Sequence, residues 1–118
     1  MHRIAYWVAA LDERGTALGA FDGEVLAGLA VIRFEIADAT AQLFALYVDR
    51  SHRRHGVGSA LLDAMQQLTL ERGQNTLYAS AVPNASAIEF YLARGFTFAP
   101  NSDLPMQQPQ DVRMVKTL

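Results

Sequence analysis

The segment from Leu43 to Leu62 constrains this chain more than any other. An apolar, β-rich run, Leu43 to Val48, leads into the basic loop Asp49-Arg50-Ser51-His52-Arg53-Arg54-His55. Gly56-Val57-Gly58 follows, and an amphipathic stretch begins at once. A strand, a basic loop, a Gly-x-Gly step and a helix, in that order, build an anion cradle. Glycine has no Cβ, so backbone N–H groups there can approach a ligand closely. The first turn of a helix adds unpaired N–H groups and a partial positive charge. Together they favour a phosphate or pyrophosphate. Two familiar phosphate patterns are not met. G-x-x-x-x-G-K-[ST] is absent, and Leu61 stands where the third glycine of G-x-G-x-x-G belongs.

The rest of the composition narrows the classes. With 118 residues the chain suffices for a single compact domain. It is 51% hydrophobic and 19% charged, which is globular. A net charge of −2 gives no general case for nucleic-acid binding. The basic character is local, in Arg50, Arg53 and Arg54 with His52 and His55. Cysteine is absent, which excludes disulfides, thiolate metal sites and a cysteine nucleophile. His52 and His55, three apart in a loop, make a poor metal site, so no metal is expected. Neither a signal-peptide pattern nor an apolar run of membrane-spanning length is present, so the expectation is a cytoplasmic protein with no membrane contact.

Periodicity then places the elements. Ile4, Trp7, Val8 and Leu11 recur at helical spacing, and Gly15 suits a C-cap, so residues 2–14 read as a helix. Thr16 to Phe21 reads as a strand, Asp22-Gly23 as a hairpin turn and Glu24 to Phe34 as the return strand, with Gly28 at a bulge. Thr40 to Val48 is apolar nearly throughout and reads as a strand buried on both faces. Val57, Leu61, Met65 and Leu68, flanked by Ala60 and Ala64, give a helix over residues 57–72 that Gly73 stops. Thr76 to Val82 reads as a strand, and a short helix runs from about Ala85 to Arg94, with Asn84 as its N-cap. Residues 96–99 and 112–118 read as strands. Residues 100–110, with three of the four prolines, read as a mobile surface loop. The order implies an α/β domain with a mixed sheet, in which residues 40–82 form a strand-helix-strand crossover.

A second motif lies downstream: Pro83-Asn84-Ala85-Ser86-Ala87-Ile88-Glu89-Phe90-Tyr91-Leu92-Ala93-Arg94-Gly95-Phe96. Arg53-Arg54-His55-Gly56-Val57-Gly58 fits [QR]-x-x-G-x-[GA]. With both motifs present, residues 16–118 resemble the GNAT family of N-acetyltransferases. The resemblance implies that family's acyl-CoA N-acyltransferase fold and acetyl-CoA as co-substrate. It implies a pyrophosphate held by Arg53, Arg54, His55, Gly56, Val57, Gly58 and Ser59. The pantetheine arm would pair with the backbone of Leu46, Tyr47 and Val48 as an added strand. Asn84 would contact the cofactor near the pantetheine, and Tyr91 would protonate the departing thiolate. Without a cysteine to carry the acyl group, the reaction implied is direct transfer to a primary amine in a ternary complex.

The chain departs from the family pattern twice. Many relatives carry a glutamate on the central strand as general base, and no carboxylate lies between Thr40 and Val48 here. Glu35 and Asp38 read more simply as solvated turn residues. The amino terminus is also short, which implies an uncovered strand edge. A homodimer with Trp7 near the contact is expected on that ground. The departures motivate one alternative, an acyl-CoA-binding module with little or no catalysis.

Overall fold

The computed structural model describes residues 4–53 and 55–118; Met1, His2, Arg3 and Arg54 lie outside the described residues. The strands are β1 (Ile4–Asp12), β2 (Gly15–Asp22), β3 (Val25–Ala37), β4 (Thr40–Val48), β5 (Thr76–Ala81), β6 (Thr97–Phe98) and β7 (Val112–Thr117). The helices are α1 (Val57–Glu71) and α2 (Ala85–Ala93), and Arg50–His52 form a short 3-10 turn. One mixed sheet runs in the order β1-β2-β3-β4-β5-β7-β6. The β4–β5 pair is parallel, and the other pairs among the described residues are antiparallel. The mixed sheet and the strand-helix-strand crossover of β4, α1 and β5 are as the sequence pattern implies.

The helix expected over residues 2–14, of which residues 2 and 3 lie outside the described residues, is instead the strand β1 followed by a turn at residues 13 and 14. β1 pairs antiparallel with β2 from Ile4↔Asp22 to Asp12↔Gly15. The helical spacing of Ile4, Trp7, Val8 and Leu11 misled because β1 is the sheet edge and is exposed along nearly its whole length. With neither face buried, no alternation was imposed on its sequence. Its β-branched and aromatic residues, Ile4, Tyr6, Trp7 and Val8, suit the strand that pairing selects.

Opposed residues in an antiparallel pair share a face. On β3, Ala30, Ile32 and Phe34 are buried against α1, whose buried residues are Val57, Leu61, Leu62, Met65 and Thr69. Burying three such side chains, Leu61, Leu62 and Met65, contributes about 1.5–3 kcal/mol each. The buried stripe takes in Leu62 and Thr69 rather than Leu68, which is only partly buried. Gly28 permits the close approach of α1 to β3. A Cβ there would stand 2.8 Å from Val57 Cγ1, 2.9 Å from Leu61 Cδ1 and 3.0 Å from the Tyr47 carbonyl. The β2–β3 bulge falls beside it, between Ala20↔Gly28 and Phe21↔Leu26.

β4 is not buried on both faces throughout. Thr40 to Leu43 are buried, but Phe44 and Tyr47 are about half exposed. The change coincides with a bulge, since β3 pairs Val31↔Ala45 and then Ile32↔Leu43, leaving Phe44 extra. The 100–110 loop is also pinned rather than loose. Tyr78 Oη donates to the Pro105 carbonyl at 2.7 Å, Arg113 Nε to that of Leu104 at 2.8 Å, and Gln107 Nε2 to that of Phe44 at 2.7 Å.

Candidate functional site

The β4–β5 ladder runs from Thr40↔Thr76 to Leu43↔Ala79 and stops there. Past the Phe44 bulge the two strands part and leave a fork. Gln107 holds it open on one side: its side-chain amide takes the Phe44 carbonyl and its backbone N–H donates to Ser80 Oγ at 3.1 Å. Asp111 Oδ2 accepts from Ser80 Oγ at 2.9 Å, while Asp111 Oδ1 is buried without a partner among the described residues. Past the fork, Leu46 and Val48 of β4 line a cleft of about 440 Å3 shared with the first turn of α1 and with α2.

That cleft gathers eight of the residues singled out by the motifs. Leu46, Val48, Arg53, Gly56, Val57, Gly58, Ser59 and Tyr91 all line it. Leu46 and Val48 face it because they pair with Ala30 and Gly28, on the helix-bearing face. Tyr47 alternates to the opposite face, where its hydroxyl donates to Asp49 Oδ1 at 3.3 Å. His55 is exposed outside the lining, and Arg54 lies outside the described residues. Asn84 caps α2, accepting from the Ala87 N–H at 2.9 Å, and does not line the cleft.

The two glycines of the loop act for different reasons. Gly56 has φ +78° and precedes α1, and a Cβ there would meet nothing within 4 Å. Its role is the left-handed turn. Gly58 makes room: a Cβ would lie 3.2 Å from Phe90 Cε1 and 3.4 Å from Val48 Cγ2. So Gly58 also lets α2 and β4 close on the first turn of α1. Arg53 Nε donates to the Val48 carbonyl at 3.4 Å, which lays a cation along the cleft wall.

Tyr91 stands between two rings, edge-on to Phe90 at 5.4 Å and to Phe96 at 5.1 Å. Burial pushes its phenol up to about 12. Its hydroxyl keeps its proton far above neutral pH, so it can donate but does not ionise.

The lining also contains four residues that sequence reasoning did not single out for the site: His52, Ala87, Phe90 and Arg94. Ala87 and Phe90 belong to the second motif, where Phe90 reads as core, and Arg94 ends the short helix; the sequence marks none of the three for the cleft. His52 is buried, 5% exposed, and ties the loop to the β2–β3 turn. Its Nε2 lies 2.9 Å from Asp22 Oδ2 and its Nδ1 3.1 Å from Asp49 Oδ2. The hydrogen bond to Asp22, then that to Asp49, raises its pKa above the ordinary 6.5. Asp49 is held down at about 2, first by the Ser51 hydroxyl and then by His52. Among the described residues, no group of three or more His, Asp or Glu could hold a metal, and no helix is long and apolar enough to cross a membrane.

Comparison with known proteins follows the geometry. The sequence pattern of the acetyltransferase (GNAT) family matches residues 1–96. A PaiA N-acetyltransferase from Thermoplasma acidophilum, in complex with coenzyme A, superposes with a TM-score of 0.74 at 21% identity. The match covers 89% of this chain and 62% of that one, so this chain spans less than two thirds of that relative's length. A GNAT-family acetyltransferase from Staphylococcus aureus gives 0.80 at 22% identity, over 88% and 68%. The ribosomal-protein-S18-alanine N-acetyltransferase from Escherichia coli gives 0.70 at 26% identity, over 90% and 70%.

The buried histidine generates a pH prediction. A raised His52 pKa stabilises the fold fully below about 6.5, and that stabilisation is lost as pH rises through the raised value. The lowered Asp49 pKa acts oppositely, stabilising above 3.8 and failing as pH falls towards about 2. The melting temperature of the wild type should therefore exceed that of His52→Gln most between about pH 4 and 6.5, and the gap should narrow at higher pH. A gap that stays constant from pH 5 to 9 would show that His52 does not titrate against these carboxylates.

Proposed function

The chain belongs to the acetyltransferase (GNAT) family, and from that premise we propose that it moves an acetyl group from acetyl-CoA to a primary amine. The observation that carries this reading is the fork between β4 and β5, which opens onto a cleft rimmed by Gly56, Gly58 and Ser59. A pantetheine arm fits a fork of this kind as a substitute strand along β4. The pyrophosphate then falls at the first turn of α1, among unpaired N–H groups. A backbone N–H in Leu46 to Val48 polarises the thioester carbonyl.

The transfer is direct. The amine nitrogen attacks the carbonyl carbon, the C–N bond forms and the C–S bond breaks. The electron pair leaves on sulfur, and the proton that the attacking nitrogen loses ends on that sulfur, so the products are the amide and the free thiol of coenzyme A. A free thiol has a pKa of about 8.5, well below the phenol of Tyr91. Tyr91 thus stabilises the departing sulfur chiefly by donating a hydrogen bond. An alkylamine with a pKa of about 10.4 must lose its proton first, and acceptors of lower pKa need less help. The absence of a carboxylate on β4 favours one second reading, an acyl-CoA-binding module with little catalysis.

We also assign the protein to a homodimer that covers β1. Trp7 is 67% and Val8 64% exposed on that edge strand. Long apolar edges are normally paired or covered.

Four measurements test these assignments. Acetyl-CoA should bind the wild type with micromolar affinity by calorimetry, and Gly58→Glu should abolish binding; a wild type that binds nothing would refute the cofactor reading. Tyr91→Phe should lower thiol release across an amine panel by roughly 100-fold or more with acetyl-CoA affinity near normal. The wild-type rate should show no alkaline decline attributable to Tyr91 below about pH 10, given a phenol near 12. Tight acetyl-CoA binding with no thiol release from any amine would establish the binding module instead. Light scattering at micromolar concentration should give twice the 13.0 kDa chain mass, and a monomer there would remove the dimer.

A further inference from the structure

We propose that Arg94 grips the cofactor's pyrophosphate with the guanidinium edge that rests on Ser59, an inference that rests on the acetyl-CoA reading above. Arg94 caps the carboxyl end of α2, far in sequence from the basic loop. Its side chain crosses to the first turn of α1. Nε donates to Ser59 Oγ at 3.1 Å, and Nη2 donates to the same oxygen. Nη1 donates to the Phe90 carbonyl at 3.0 Å, and the guanidinium carbon lies 3.8 Å from the centre of the Phe90 ring.

Every one of these partners is formally neutral. Among the described residues, no carboxylate forms an ion pair with Arg94. The guanidinium instead sits beside the amino terminus of α1, the positive end of that helix. A cation placed there is repelled unless an anion joins it. Arg53 lines the same cleft and adds to the excess of positive charge. Two guanidinium groups thus share this end of the cleft, and among the described residues no carboxylate lines it.

The geometry identifies the ligand's chemistry. Two N–H groups of one guanidinium edge converge on a single hydroxyl oxygen. That edge is spaced for two oxygens, and a phosphoryl group supplies them side by side. On binding, the phosphoryl oxygens replace Ser59 Oγ, and the Ser59 hydroxyl turns to donate to the same anion. The Phe90 ring fixes the guanidinium plane beforehand, so little rotamer freedom is lost. Lysine, a point charge without the fork, keeps the attraction and loses the paired geometry.

A purely structural role is the competing account, with Arg94 stapling α2 to α1 through Ser59. The two differ in what Ser59→Ala does and in salt dependence. Calorimetry on the full chain at 0.05 and 0.5 M sodium chloride, about a threefold change in Debye length, should separate them. Arg94→Met should weaken acetyl-CoA binding roughly 10- to 100-fold at low salt, the range for hydrogen bonds to a charged group, and by less at high salt. Arg94→Lys should fall between, and Ser59→Ala, which removes a neutral hydroxyl donor and leaves the charge in place, should weaken binding by a factor that changes little between the two salt concentrations. Equal, salt-independent losses in Arg94→Met and Ser59→Ala would overturn the proposal, as would wild-type affinity in Arg94→Met. If Arg94→Met fails to fold, Arg94→Gln, which also removes the charge, carries the test by the same salt comparison. Inorganic pyrophosphate, titrated in parallel, isolates the anion grip. Pyrophosphate binding that Arg94→Met loses, without acetyl-CoA binding to the wild type, would sink the cofactor reading and leave the grip standing. Neither ligand binding the wild type would overturn both.

Discussion

The parting of β4 from β5 is the constraint on which the rest of this molecule depends. A parallel pair can separate only where something satisfies the abandoned backbone groups and turns the strand aside. The Phe44 bulge turns β4, and Gln107 takes the Phe44 carbonyl. The loop that supplies Gln107 is itself anchored by Tyr78, Ser80 and Arg113. On the far side α1 presses into β3 at Gly28, which sets where its first turn meets the fork. Bulge, glycine and loop thus fix one opening from three directions. The cleft is a consequence of that opening rather than a separate feature.

The two faces of the sheet have divided their roles. Both helices pack on the face that carries Ala30, Ile32, Leu46 and Val48, and the anion loop belongs to that side. The opposite face carries Tyr78 and Ser80, covered by the 104–111 segment. Further along, the register aligns Trp7, Gly19, Leu29 and Tyr47 across four strands of that face. Phe21 folds its ring over Gly19, so part of the row covers itself. Trp7 remains mostly exposed, so the described residues leave that end of the face uncovered.

The sequence was most legible where pattern and local chemistry coincide. The hairpin of β2 and β3, the strand-helix-strand unit, the Asn84 cap and the loop before α1 could all be read, because each is specified by its own residues. The strand β1 could not. Its spacing suits a helix, and only pairing with β2, which is set by the turn at residues 13 and 14, decides otherwise. The pinned 100–110 loop was illegible for a similar reason. Its anchors Tyr78, Ser80 and Arg113 lie on strands, where nothing local marks them as hydrogen-bond partners of a loop.

Arg94 shows the same limit at the site itself. In sequence it is a cation at the end of a helix, which needs no further explanation, since a basic residue there complements the helix's own dipole. In three dimensions that helix end abuts the start of another. The charge that suits the carboxyl end of α2 is thereby delivered to the amino end of α1, where it does not suit. Gly58 permits that juxtaposition by letting Phe90 approach to contact distance. One small residue in the loop motif therefore does two things at once. It leaves the first turn of α1 bare, and it admits the helix whose arginine would meet the proposed pyrophosphate.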